Sequence, residues 1–394
     1  MNSSRSQSYI LPSSIYFIYY AALAALVPFL ALYYQELGLP GAQIGILLGI
    51  SPLVSLLANP LWSGLADATH RHKAILTVTL LATVVIMAVL PSFTTLWPLF
   101  LAISIYSFFV APVISLVDSA TMTMLGDQKE KYGRLRVWGS VGWGLGVLFV
   151  GGFLQRYGLK WSFWIFGGGM LLVLFPARRL TFDHVQSGSS FRQGMRKFLV
   201  NRRWIFFLAM TFIAGIGLSV YNNYLSVLMQ SLGGSKSLTG IAITVATLSE
   251  LPVMFFSGSL LRRLKTRGLF ILAMAVTGIR CLLLGVAGSP AGVMAVQVLH
   301  GMTFAALLVS GVTYAAENAP PGLGATAQGL FSSVLMGFGA AAGNLLGGIL
   351  IERLNPTKMY GVIGGIVLVG LVVFLLLEKW LMSVRLRRET AAEP

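Results

Sequence analysis

The chain has 394 residues, 56% hydrophobic and only 10% charged, with a formal net charge of +16. A soluble domain carries about a quarter charged residues, so a water-soluble enzyme or binding module is excluded and a polytopic membrane protein is expected. The apolar runs approach the 20 residues of a membrane helix rather than the alternating strands of a barrel, and the single cysteine, Cys281, rules out a disulfide within the chain.

The opening stretch "MNSSRSQSYILPSSIYF" has one Arg and runs straight into an apolar segment long enough to span, so it reads as a retained first helix. The first two spans are expected at 12–34 and 42–66. "GLADATHRHK" follows, a polar loop holding Gly64, Asp67, Arg71 and Lys73. Spans three and four are expected at 74–91 and 97–125, the fourth carrying Asp118. Span five, 135–154, opens with "YGRLRVWGSVGWGLG" and carries Arg136 and Trp143. Span six, 160–177, leads into the longest polar segment, 178–203.

The second half repeats the pattern. Spans are expected at 203–231 (with Asn222 and Asn223), 238–262 (Glu250), 269–288 (Arg280), 290–317 (His300), 324–351 and 357–381. "GAQIGILLG" matches "KSLTGIAIT" and "VGGFLQRYG" matches "LGGILIERL", each shifted by about 195 residues. Internal repeats of this kind mark transporters built from two related bundles. The expected organisation is a bundle over 1–177, a cytoplasmic linker over 178–203, and a second bundle with a short tail over 204–394. An even number of spans puts both termini on one side. With the termini inside, 21 of the 28 Lys and Arg are cytoplasmic, five are external and two lie within spans. This bias fixes the expected orientation as N-in and C-in, and it accounts for the basic excess without nucleic acid.

Charges inside a bilayer cost about 3 kcal/mol or more, so they are functional candidates by default. Five ionisable groups fall there: Asp118, Arg136, Glu250, Arg280 and His300. Asp118 and Arg136 are each nine residues from Asp127, so an antiparallel hairpin places them at one depth, as counter-charges. Trp143 is two helical turns beyond Arg136 on the same face. Arg280 and His300 are each ten residues from Pro290, and Glu250 is central in its span. A plain inter-helix ion pair and a satisfied core imidazole are the simplest readings of these groups taken singly. Matched depths in both halves favour a site. Arg cannot release a proton, whereas Glu250 and His300 can. Competition between a proton and a cation for Glu250 is then a workable coupling device. Trp143 offers a flat face to a ring.

The span-five segment resembles that of the lactose permease, and its "YGRxRxWGS" form resembles the phenylpropionate permeases and nucleoside/proton symporters, all within the major facilitator superfamily. "GLADATHRHK" is similar to, and read as fitting, the G-x-x-x-D-x-x-x-R-x-K loop of that superfamily, whose Asp sits at a helix end and pairs across the two halves to steady one access state. The resemblance implies an all-α fold of twelve transmembrane helices in two pseudo-symmetric six-helix bundles. It implies solute binding by Asp118, Arg136 and Trp143, a coupling and binding role for Arg280 and His300, and a gating loop at Gly64, Asp67, Arg71 and Lys73. The proton carrier does not transfer from the family: Glu250 is about one turn from its span-eight glutamate, and Asn222 and Asn223 stand where it has an aspartate pair, so Glu250, then Asp118, is expected to carry the proton and Asn223 to contact solute on the residues alone. Three residues past the histidine, where lactose permease carries its proton-bearing glutamate, stands Thr303. The expected function is proton-coupled import of an oligosaccharide or glycoside, a nucleoside or an arylpropionate by alternating access. An efflux antiporter and an uncoupled facilitator are the alternatives; span five lacks the proline expected of the exporters. No P-loop, zinc motif or nucleophile triad points to an enzyme. The expected setting is a monomer in the cytoplasmic (inner) membrane, with no cofactor or metal and a proton gradient as the driving force.

Overall fold

Apolar residues in a bilayer leave backbone N–H and C=O groups no water to bond, so a spanning chain closes its hydrogen bonds within helices. The computed structural model describes residues 2–126, 128, 131–182, 201–319 and 323–390. Among the described residues every regular element is helical and none is a strand. Eleven helical segments are long and apolar enough to cross a membrane, and a twelfth apolar helix, Trp161–Ala177, is shorter. Lys129 and most of the expected linker, residues 183–200, lie outside the described residues.

In chain order, α1 (Asn2–Leu26) passes through a 3₁₀ turn at Val27–Phe29 into α2 (Leu30–Glu36). Pro28 has no N–H to donate and tightens that turn. Next come α3 (Gly41–Thr69), α4 (His72–Val89), α5 (Leu96–Leu125), α6 (Tyr132–Tyr157) and α7 (Trp161–Ala177). Then follow α8 (Arg202–Ser231), α9 (Lys236–Phe255) and α10 (Ser257–Val286). The expected span 238–262 is cut short at Phe256, and the next helix is interrupted at Lys265, whose φ is 57°. Pro252, in the last turn of α9, lacks the N–H that would bond the Leu248 carbonyl and so loosens that turn.

The expected span 290–317 is one path but not one helix. It runs as α11 (Pro290–Val296), a 3₁₀ turn at Gln297–Leu299, a π-helical turn at Gly301–Ala305, and α12 (Ala306–Glu317). Another π-helical stretch, Ser333–Gly339, joins α13 (Gly324–Ser332) to α14 (Ala340–Arg353). The last helix, α15 (Pro356–Thr390), is apolar over Pro356–Leu377.

Two seams join residues 2–182 to residues 201–390: α3 against α14, and α6 against α9. Small residues line both. A Cβ on Gly348 would overlap the Gly41 carbonyl oxygen, and one on Gly240 would come 2.6 Å from the Val147 carbonyl oxygen. Small residues let membrane helices approach this closely. Polar contacts reinforce the seams. Thr244 donates to the Gly144 carbonyl at 3.0 Å and Asn344 to the Leu48 carbonyl at 3.1 Å. Further along, the Ala42 N–H donates to Glu352 at 2.7 Å and the Lys236 N–H to Gln155 at 2.8 Å. Lys236 also pairs with Glu36 at 2.9 Å. These contacts sit at the loop ends of α2, α3, α6, α9 and α14, so the two parts close against each other on one face.

Candidate functional site

Two polar clusters are buried in the helical body, with a small cavity beside the second. The first is on α1, α5 and α6. Tyr16 donates to Asp118 at 2.5 Å and also lies 3.3 Å from Thr121. Arg136 hydrogen-bonds the Tyr20 hydroxyl and lies over the rings of Tyr20, at 4.2 Å, and Tyr16, at 5.3 Å. Asp118 and Arg136 share this cluster but make no direct ion pair. The expected pairing is corrected: aromatic rings of α1 stand between the two charges, and a cation over an aromatic face is worth about 0.5–2 kcal/mol. The helical rise placed the two at one depth, but their partner came from a third helix. Tyr16, Tyr19 and Tyr20 follow i, i+3, i+4 spacing in "IYFIYYAAL", a signal for one polar-edged face that the charge arithmetic passed over.

The second cluster is on α8, α9, α10 and the interrupted path 290–317. Glu250 lies 2.8 Å from His300 Nε2. His300 Nδ1 lies 2.7 Å from an Arg280 nitrogen. Arg280 also donates to Thr303 at 3.0 Å and to Gln297 at 2.6 Å, and stacks on the Tyr221 ring at 3.5 Å. Arg280 Nε has no hydrogen-bond partner among the described residues. The Tyr221 hydroxyl donates to Gln297 at 3.0 Å, and the His300 ring stacks on Phe304. Glu250, Arg280 and His300 are therefore joined in one chain of contacts. Tyr221 and Gln297 were not singled out from sequence. Gln297 is three residues before His300 and so marks the same helical face.

Local backbone makes this cluster possible. The Gly301 N–H donates to Ser249 Oγ at 2.9 Å, and a Cβ on Gly301 would overlap the Ser249 carbonyl oxygen. Gly301 thus lets the π-helical turn press onto α9, setting His300 against Glu250. π-Turns within α-helical paths are frequent at functional sites.

A cavity of about 30 Å³ is lined by Trp143, Pro28, Tyr221, Asn222, Thr247 and His300, among others. That is room for a water or two. Trp143 and His300 thus face one space from the two parts of the chain. Asp118 and Arg136 do not line it; Arg136 is seven residues from Trp143, about 10 Å along α6. Asn223 faces elsewhere, donating to Asn344 at 2.9 Å, and Asn344 in turn bonds α3. Asn222, not Asn223, borders the cavity.

The polar loop also differs from expectation. Asp67, in the last turn of α3, lies 3.0 Å from His72 at the start of α4 in this state. His70, at φ 54°, turns the chain back, and His72 stacks on Phe182. Arg71 and Lys73 are exposed, and Gly64 has open space where a Cβ would be. Gly64 and Asp67 are also one residue closer than in the G-x-x-x-D pattern.

A cavity between two groups of apolar spanning helices, bordered by Trp143 and by His300 of a connected ionisable cluster, is the arrangement expected of a membrane transporter. The family model described as "MFS_1 like family" matches residues 9–362, and the chain belongs to that family of major facilitator transporters rather than to any enzyme class. It is 30% identical to the maltose permease of Geobacillus stearothermophilus over 96% of this chain and 95% of that one. It is 23% identical to the probable 3-phenylpropionic acid transporter of Escherichia coli (strain K12), over 86% of this chain and 90% of the other. A crystal structure of the nucleoside transporter NupG superposes with a TM-score of 0.84 at 17% identity, covering 96% of this chain and 100% of that chain. This last likeness is one of fold.

Proposed function

We propose that the chain is a proton-coupled importer of a small hydroxylated or aromatic solute, such as a glycoside, nucleoside or arylpropionate. In this reading twelve spans form two six-helix bundles in the cytoplasmic membrane, with both termini inside. The protein works as a monomer, and the closed face is the external one. The contact chain Glu250–His300–Arg280, which reaches the cavity wall at His300, carries the proposal.

The reasoning is one of donors and acceptors. Guanidinium nitrogens only donate. His300 Nδ1, facing Arg280, must therefore be bare and accept. The imidazole proton then sits on Nε2 and is donated to the Glu250 carboxylate. A second proton on His300 would set two donors face to face beside a fixed cation. An arriving proton therefore goes to Glu250, which discharges the carboxylate and slackens its hold on His300. The His300 ring borders the cavity, so a solute there senses whether Glu250 is charged. Trp143 supplies the opposing ring face, and Asn222 and Thr247 supply hydrogen bonds. The Asp118–Tyr16–Tyr20–Arg136 cluster lies further along α6, where it meets solute as the cavity widens. The maltose permease and phenylpropionic acid transporter relatives support these solute classes.

The test is pH in a lightly buffered suspension of de-energised cells while maltose, uridine and 3-phenylpropionate are added in turn. One class is expected to alkalinise the medium, and Glu250→Gln is expected to abolish this while retaining solute exchange. Solute entry with no pH change in the wild type would replace symport with uncoupled facilitation.

A further inference from the structure

Beyond the central cavity lies another, larger one. It has a volume of about 290 Å³ and is walled by α2, α6, α8, α9 and the loop between α8 and α9. Its polar lining includes Gln155, Ser226, Gln230, Lys236 and Thr239. The lining follows the central cavity in register. Asn222 borders the inner space, whereas Ser226 and Gln230, four and eight residues on, border the outer one. Ile243 and Thr239 are related in the same way on α9, and Pro28 and Leu32 on the first helical path. Four residues of helix advance about 6 Å, so the two cavities lie on one axis about a helical turn apart. Leu225 and Ile243, both buried, line the central cavity.

The outer cavity has an unsatisfied group. Ser226 is 1% exposed, borders this space, and its Oγ has no hydrogen-bond partner among the described residues. A buried hydroxyl without a partner is destabilising, so a ligand hydroxyl there gains directly. The charged groups are already engaged, Lys236 Nζ with Glu36 at 2.9 Å. What is left is amide and hydroxyl chemistry, from the Gln155 amide nitrogen, Gln230 and Ser226. That set favours a neutral polyhydroxylated ligand over an ion. The volume sits at the lower end of ligand pockets, which begin at about 300 Å³, and suits a single ring.

We infer that this cavity is a second, external solute site, binding one neutral hydroxylated ring while the path to the central cavity is shut. The inference rests on the orientation proposed above, and it adds a loading station to the transport path.

The test uses the whole protein in sealed cells with Gln230→Cys as reporter and a membrane-impermeant thiol reagent; Cys281 is buried and serves as an unreactive background. The probe is methyl α-D-glucopyranoside. Labelling from outside is expected, with clear protection by the probe. Protection should survive Trp143→Ala, which strips the central cavity of its ring. It should need about fivefold more probe in Ser226→Ala, the loss of one neutral hydrogen bond. Absent protection overturns the site, as does protection lost in Trp143→Ala, which would place the probe in the central cavity. Labelling confined to inverted vesicles overturns both the external site and the proposed orientation. Uptake of the probe, maltose, uridine and 3-phenylpropionate on the same cells separates the two claims: probe uptake without protection sinks the outer site alone, and protection without uptake of any of the four sinks the import reading alone.

Discussion

Thr303 is the residue on which coupling chemistry turns. It stands where the resemblance to lactose permease places a glutamate, and its hydroxyl takes a hydrogen bond from Arg280 at 3.0 Å. The acid of the cluster comes instead from α9, as Glu250, and reaches Arg280 only through His300. A carboxylate at either position contacts the same Arg280–His300 pair, so the two should be interchangeable in kind. Thr303→Glu in a Glu250→Gln background is expected to restore solute-dependent alkalinisation, in part, to a variant that has lost it. Should the double variant stay silent while still exchanging solute, the proton site is not defined by contact with this pair. The ionisable members of this cluster were legible in sequence because depth follows from counting residues. Their partners were less so. Rotation about each helix axis decides which side chains meet, and this is why Tyr16 and Tyr20 separate Asp118 from Arg136, and why Asn222 takes the place given to Asn223.

The irregular turn over Gly301–Ala305 is the element that brings His300 and Glu250 together. Apolar spacing predicts a span over 290–317 and cannot reveal that its middle is 3₁₀ and then π. One residue of register changes the direction of side chains without changing the overall hydrophobicity. The same holds for the 3₁₀ turn at Val27–Phe29, although Pro28 was visible. Gly301 is the point of closest approach, so Gly301→Ala is expected to crowd the Ser249 carbonyl. Overpacking costs about 1–3 kcal/mol. A lowered unfolding midpoint in detergent and loss of proton-coupled uptake are the expected readouts. Gly168→Ala is the control, since a Cβ there meets nothing within 4 Å. It should be neutral or stabilising by about 0.5–1 kcal/mol, the usual gain from replacing a helix-interior glycine. Equal damage from both variants would mean that the π-turn is not held by this contact.

For the whole molecule, the question is what keeps one face shut, and magnitudes separate the two candidates. The Glu36–Lys236 pair is partly exposed, with Glu36 at 41% and Lys236 at 17% of their side-chain surface. Such a pair contributes at most about 1 kcal/mol, a factor of about five in a conformational equilibrium. The glycine seam is different, because Gly348 faces Gly41 and Gly45 backbone to backbone, and a Cβ there has no flexible side chain to displace. Gly348→Ala must therefore part α3 from α14 or strain both. The seam, rather than the ion pair, is expected to set the closed state. Leu225 is 2% exposed and lines the central cavity, so Leu225→Cys reports opening of this face through its reaction with an impermeant thiol reagent. Adding Glu36→Gln should speed that reaction by no more than about fivefold. Adding Gly348→Ala should speed it more, and should slow net transport by favouring the opposite state. If Glu36→Gln proves the larger effect, electrostatics and not close packing closes this face, and the seam is only a consequence of that closure.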